Sequence, residues 1–184
     1  NQFLAHIRET DAIVQVVRCF RNDNVVHVAG KVDPLSDISV IQTELALADL
    51  NTVEKVIQRE IKKAGAGNKE SARLCDLLEK VAAHLNQAEP VRSMGLDKEQ
   101  MELIRPLCLI TAMYVANVSD DGFTDNPLLD QLTQYAESQK APIVAICAAI
   151  ESEIVELPEE DRAEFLSDMG MDEPGLNRLI RAAF

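Results

Sequence analysis

The sequence predicts an α/β fold: a mainly parallel sheet interrupted by an inserted antiparallel helical hairpin of coiled-coil character. Three observations carry this prediction. Short β-branched or apolar runs at residues 11–20, 113–118 and 142–147 suit strands buried on both faces of a parallel sheet. Two long amphipathic stretches, joined by Gly65-Ala66-Gly67-Asn68, lie between the first run and the second. Beyond residue 113, extended and helical segments alternate as β, α, β, α, the order of strands linked by crossover helices.

The elements follow in order. Residues 1–4 read as the middle of a helix. The run 11–20 is the first strand, closed by Asn22-Asp23-Asn24, with a second short extended stretch at 25–28. Asp33-Pro34 opens a helix, the Asp as N-cap and the Pro in the first helical position. Ile38, Ile41, Leu45 and Ala48 then recur at helical spacing, continuing on a slipped stripe as Leu50, Val53, Ile57 and Ile61. Running to Lys63, this helix reaches roughly 45 Å at about 1.5 Å per residue. The two glycines of 65–68 supply its C-cap and turn, and Leu74, Leu77, Leu78, Val81 and Leu85 mark the returning helix. No heptad holds over three or four strict repeats, so the pair is a helical hairpin with coiled-coil character. Asp97-Lys98-Glu99-Gln100 is a capping box. Asn126-Pro127 caps a helix running to about Gln139; Pro158 begins an acidic helix that Gly170 ends; residues 173–184 are helical.

Length and composition bound the function. A chain of 184 residues with 47% hydrophobic content is one domain, or one domain carrying an insertion. No apolar stretch approaches the roughly 18–20 residues of a membrane span, and no signal-peptide layout occurs. No membrane partner and a cytoplasmic location are expected. Cys19, Cys75, Cys108 and Cys147 form no C-x-x-C pair and read as buried hydrophobes in a reducing compartment. Net charge is −13, which argues against direct DNA binding, because phosphate contacts need an excess of Lys and Arg. Residues 91–184 hold 18 acidic and 7 basic side chains, whereas 51–90 hold 6 and 7. The latter segment is the least repelled by a polyanion, although a charge-balanced helix is ordinarily just solvated. The acidic cluster from Glu151 to Asp161 reads as a solvated helix face. No catalytic residue and no metal ligand is singled out.

Ligands of open parallel sheets sit at the carboxyl ends of strands. Two segments fall there. Asn117-Val118-Ser119-Asp120 follows the second strand, and Cys147-Ala148-Ala149 follows the third. Asn117 offers an amide to the N7 edge of a purine. Asp120 suits the ring N–H donors of guanine better than adenine, which presents an acceptor at N1. Val118 would lie beside the ring, and Cys147, Ala148 and Ala149 would supply backbone N–H groups and room for the base. Taken alone, N-x-x-D is common in Asx turns; the second loop at the right distance strengthens the base-binding reading. Phe20 is a further candidate for the base edge, with core packing as the competing reading. No G-x-x-x-x-G-K-[ST] phosphate loop occurs in the 184 residues.

Longer motifs carry a family resemblance. They are Phe3-Leu4-Ala5-His6-Ile7-Arg8-Glu9-Thr10-Asp11-Ala12-Ile13, Val16-Val17-Arg18-Cys19-Phe20, His27-Val28-Ala29-Gly30-Lys31-Val32-Asp33-Pro34, Thr43-Glu44-Leu45-Ala46-Leu47-Ala48-Asp49-Leu50, Tyr114-Val115-Ala116-Asn117-Val118 and Glu173-Pro174-Gly175-Leu176-Asn177-Arg178. Together they resemble the YchF and Obg-like ATPases over nearly the whole chain. The resemblance implies a partial P-loop NTPase sheet of Rossmann-like type. It places residues 1–32 in the NTPase domain after switch II, 33–106 in the hairpin insertion, and 107–184 in the rest of the NTPase domain.

By the same resemblance, the intact protein binds and hydrolyses ATP (or GTP) with Mg²⁺ and associates with ribosomes. The P-loop and switch I would lie before Asn1, and a TGS domain after Phe184. Because those upstream parts supply most of the transition-state stabilisation, the chain alone is expected to be inactive. Asn117, Val118 and the loop of Cys147, Ala148 and Ala149 would be base contacts. The family ordinarily reads N-x-x-E where GTPases read N-K-x-D; Asp120 departs toward the GTPase pattern, while Val118 in place of Lys agrees with the family. A short Lys-Pro segment that the family carries between Ala112 and Met113 has no counterpart here.

Overall fold

The β-branched and apolar runs form three strands: β1 (Ile13–Arg18), β2 (Thr111–Asn117) and β3 (Ile143–Ile146). The computed structural model describes residues 7, 10, 13–22, 30–108 and 110–183, with the backbone alone at 111 and 112. The extended stretch expected at 25–28 and the helical reading of 1–4 lie outside the described residues. Strand order is β1-β2-β3. β2 and β3 are parallel, in a register that pairs Tyr114 with Ile143 and Asn117 with Ile146. Met113, Tyr114, Val115 and Ala116 are each 2% exposed or less. Burial on both faces is why this central strand reads as a continuous apolar run and does not alternate.

Seven α-helices are described: α1 (Pro34–Gly65), α2 (Lys69–Leu85), α3 (Lys98–Ile104), α4 (Pro127–Ser138), α5 (Ala148–Glu156), α6 (Glu159–Asp168) and α7 (Gly175–Ala183). Four of the starts carry a local side-chain cap. Asp33 accepts the Ser36 N–H at 3.2 Å, and Asn68 accepts the N–H groups of Glu70 and Ser71. Asp97 and Gln100 close a reciprocal capping box. Asn126 accepts from Leu128 and Leu129, with Pro127 in the first helical position. A 3₁₀ turn over Val91–Met94, which no periodicity announced, connects α2 to α3.

The chain divides into two units. The sheet unit holds Val14–Ile38 and Thr111–Phe184. Its core gathers Val17, Cys19, Ile38, Ala116, Leu132 and Ile150, and the rings of Tyr114 and Tyr135 meet edge to face at 5.8 Å. The helical unit holds Asn1–Ile13 and Ser39–Ile110. There Val53, Leu78, Val81 and Ile104 are fully buried in one apolar cluster between the hairpin helices and α3. At the turn end of the hairpin, Gly67 takes φ +92°, a left-handed conformation that glycine adopts without the Cβ penalty of other residues. Beside it the Glu60 carboxylate of α1 accepts the Ser71 hydroxyl of α2 at 2.9 Å. Among the described residues no helix is long and apolar enough to cross a membrane.

Candidate functional site

Parallel pairing of Asn117 with Ile146 brings the carboxyl ends of β2 and β3 to the same edge of the sheet. The Val118 N–H donates to Ile146 O at 2.8 Å, and the Cys19 N–H to Asn117 O at 2.7 Å, so three chain segments leave the sheet side by side. α5 begins at once after β3. Its N-cap residue, Cys147, makes no side-chain cap bond. Asn117 takes over that role from the neighbouring strand, its Oδ1 accepting the Ala148 N–H at 3.1 Å. With Oδ1 engaged, the Nδ2 group is left as a donor. The first intrahelical bond of α5 runs from Glu151 N–H to Cys147 O. The N–H groups of Ala149 and Ile150 therefore point out of the helix start, where a partial positive charge gathers.

All seven residues singled out from the sequence line one open cavity of about 500 Å³: Phe20, Asn117, Val118, Asp120, Cys147, Ala148 and Ala149. Their roles in its wall differ from the simplest expectation. Val118 and Cys147 are 2% and 3% exposed and belong to the core, so they shape the floor without offering much side-chain surface. Ala148 and Ala149 are the first helical residues of α5, not a free turn, and the N–H of Ala148 is already taken by Asn117. Asp120 is exposed. Phe20 is half-buried outside the core cluster, and the Arg18 guanidinium lies 4.6 Å from its ring centroid. Arg18 also donates to the carbonyls of Phe20 and Asn22, fixing the exit from β1.

Sequence reasoning passed over Asn22, Ser119, Glu153, Phe165 and Met169, which share the cavity wall. Phe165 and Met169 are four residues apart in an acidic segment, and that spacing was the available signal for an inward face. A second, adjoining cavity of about 430 Å³ shares Phe20 and Ser119. At its edge the Asn126 Nδ2 donates to the carbonyls of Cys19 and Gly122, both at 2.9 Å. Asn126 thus joins the end of β1 to the 119–126 loop and caps α4 as well. Burial raises the Cys19 thiol pKa to about 12.

The first turn of α5 is held from behind. Glu151 accepts the N–H groups of Gly175 at 2.7 Å and Leu176 at 3.2 Å, capping α7. Arg178 donates from Nη2 to Ala145 O on β3 at 3.1 Å. A Cβ at Gly175 would fall 2.7 Å from Glu151 Oε1 and 2.8 Å from Ile146 Cγ2. Close packing, and not backbone conformation, requires glycine there. Among the described residues no group of three His, Cys, Asp or Glu is placed to hold a metal ion.

A short parallel sheet flanked by helices, with a cavity at the strand carboxyl ends, is an α/β arrangement of the P-loop NTPase type. A solved structure, that of the Schizosaccharomyces pombe YchF GTPase, superposes with TM-score 0.81 at 28% identity, over 98% of this chain and 51% of that one. Among curated proteins, the ribosome-binding ATPase YchF of Haemophilus influenzae is 54% identical over 187 residues, spanning all of this chain and 52% of the relative. The proteins of the same name from Escherichia coli O157:H7 and Bacillus subtilis are 50% and 43% identical, again across the whole chain. No family model matches. Over its entire length the chain is a homologue of the YchF proteins. It spans about half the length of the curated relatives it matches.

Proposed function

We propose that this chain is the base-reading part of a ribosome-associated, cytoplasmic nucleotide-binding protein that binds and hydrolyses ATP, or GTP, with Mg²⁺. One observation carries the reading. Asn117 and Ala148 are hydrogen-bonded at the head of a cavity large enough for a purine, with the Asn117 Nδ2 left to donate. In the bound state Asn117 would donate to N7 of the base. Asp120 would face its Watson–Crick edge, and Phe20 would border the ring. The Ala149 and Ile150 N–H groups are further donors at the cavity wall. Mg²⁺ and the phosphates would be held by a P-loop, and the 184 residues contain none. In this reading residues 1–32 and 107–184 belong to the NTPase domain, and 33–106 are the helical insertion.

Titration with fluorescent adenine and guanine nucleotides tests the proposal. The 184-residue chain alone should bind triphosphates weakly and turn none over. The whole protein that carries it should bind one of them and lose that binding on Asn117→Ala. Strong Mg²⁺-dependent hydrolysis by the isolated chain would contradict the division of labour. Unchanged affinity of the Asn117→Ala protein would remove the base site.

A second reading, favoured by the lysines and arginines around the hairpin turn, makes the helical unit a ribosome-binding module independent of nucleotide chemistry. Deleting residues 51–90 should then weaken ribosome co-sedimentation; unaltered co-sedimentation counts against it.

A further inference from the structure

We propose that Phe165 and Met169 form an apolar wall that takes the flat face of the base, and so set how far the cavity prefers a purine to a pyrimidine. The inference rests on the base site proposed above and deepens it. In that reading Asn117 and Asp120 meet the edges of the ring and Phe20 borders it. The contribution of α6 to the cavity has no role there.

Phe165 and Met169 both line the cavity. They stand four residues apart, so they share one face of the helix. The rest of α6 is acidic, with Glu160, Asp161, Glu164 and Asp168 all exposed. Leu166, beside Phe165, is 9% exposed and enters the sheet core, and Phe165 packs half-buried against that core. Met169 stays 39% exposed. A ring and a thioether on the wall of an open cavity are apolar surface that a bound base would cover.

The wall is fixed at both ends. Arg162 donates from Nε to Leu157 O at 3.0 Å and from Nη2 to Val155 O at 3.4 Å, tying the first turn of α6 to the end of α5. At the other end Gly170 takes φ +67°. Its N–H donates to Ser167 O at 3.0 Å, and the Met171 N–H donates to Leu166 O at 2.8 Å. This is the Schellman pattern that closes a helix on a left-handed glycine. Met169 is the C-cap residue within it, its N–H donating to Phe165 O at 3.1 Å. Both side chains are therefore carried on a backbone already ordered, which lowers the cost of ordering on binding.

Aromatic and thioether groups attract the π-face of any base without reading its edge. The attraction grows with the ring area covered, so the double ring of a purine gains more than the single ring of a pyrimidine. Adenine and guanine gain alike. Choice between those two is left to the groups that meet the ring edge.

The test measures binding of ATP, GTP, CTP and inorganic tripolyphosphate to the whole protein by calorimetry. Tripolyphosphate has no base and reports the phosphate site alone. Wild type is compared with Phe165→Ala, Phe165→Leu, Met169→Ala, Asn117→Ala and a control on the same helix, Glu164→Ala, which lies outside the cavity wall. Phe165→Ala should weaken the tighter-bound purine triphosphate about tenfold. Met169→Ala should weaken it about threefold. CTP should lose less, and tripolyphosphate and the control should not change. Phe165→Leu keeps most of the apolar volume and removes the ring, so it should lose purine affinity with little change in melting. If Phe165→Ala melts early, Phe165→Leu and the exposed Met169→Ala carry the measurement. Equal losses for purine triphosphate and tripolyphosphate would overturn the proposal, because the side chains would then act only through the fold. Wild-type purine affinity in the wall variants, with Asn117→Ala weakened, would also overturn it and leave the base site standing. Purine affinity unchanged in Asn117→Ala as well would remove the base site and the wall together.

Discussion

Asn117, the last residue of β2, accepts the backbone N–H of Ala148, the first residue of α5, at 3.1 Å. One side chain thus caps a helix thirty-one residues away and is fixed with its amide nitrogen free to donate. Asn117→Ala and Asn117→Asp separate these two duties. The Ala variant loses both; the Asp variant keeps an oxygen for Ala148 and loses the donor. A hydrogen bond contributes about 0.5–1.5 kcal/mol net, and 1.4 kcal/mol is tenfold in affinity. Both variants of the whole protein should bind nucleotide more weakly, by up to about tenfold, and the Ala variant alone should also melt earlier. Asp binding like wild type would show that Asn117 is only a cap.

Gly175→Ala should destabilise the sheet unit. The new methyl meets Ile146 and the Glu151 carboxylate under 3 Å, and moving Glu151 aside gives up the Gly175 and Leu176 bonds. Overpacking of this kind costs about 1–3 kcal/mol, which lowers Tm by roughly 2–4 °C per kcal/mol in a chain of this size. A melting curve superimposable on wild type would show that α7 can shift freely from β3.

Glu60 makes the hairpin acid-sensitive. The Lys63 ammonium first, then the Ser71 hydroxyl and the Arg59 guanidinium, hold its carboxyl below the usual range against the opposing effect of burial. A depressed folded pKa contributes stability above the unfolded value, about 4.3 for Glu, and that stability fades as pH falls through the folded value. Wild type should therefore melt above Glu60→Gln at pH 6, and the gap should close progressively below about pH 4.3. A gap that stays constant into strong acid would mean that the carboxylate charge contributes nothing.

The thiols should be silent. Cys19, Cys75, Cys108 and Cys147 are all free and buried. Burial raises Cys19 to about 12, and it raises Cys75 as well, helped by Glu60, Glu79 and Asp76. Thiolate is the reactive form, so alkylation at pH 8 should be slow in the native chain and rapid in denaturant. Fast native labelling of any of the four would contradict the packing described.

Local chemistry made much of this legible. The caps at Asp33, Asp97 and Asn126 act within three residues of themselves, so their meaning is complete in a short window of sequence. The strands at 113–118 and 142–147 announce themselves because burial on both faces leaves no polar alternation. The sequence therefore determined the alternation of elements, the hairpin, and the two segments that meet at the sheet edge. Tertiary structure alone decided what those segments do to each other. It decided that Asn117 spends its oxygen on Ala148, that Val118 turns into the core, that Phe20 borders a cavity, and that Glu151 caps α7 instead of joining a solvated acidic face. Each is a contact between residues distant in the chain, set by strand register and helix packing, which no local pattern encodes.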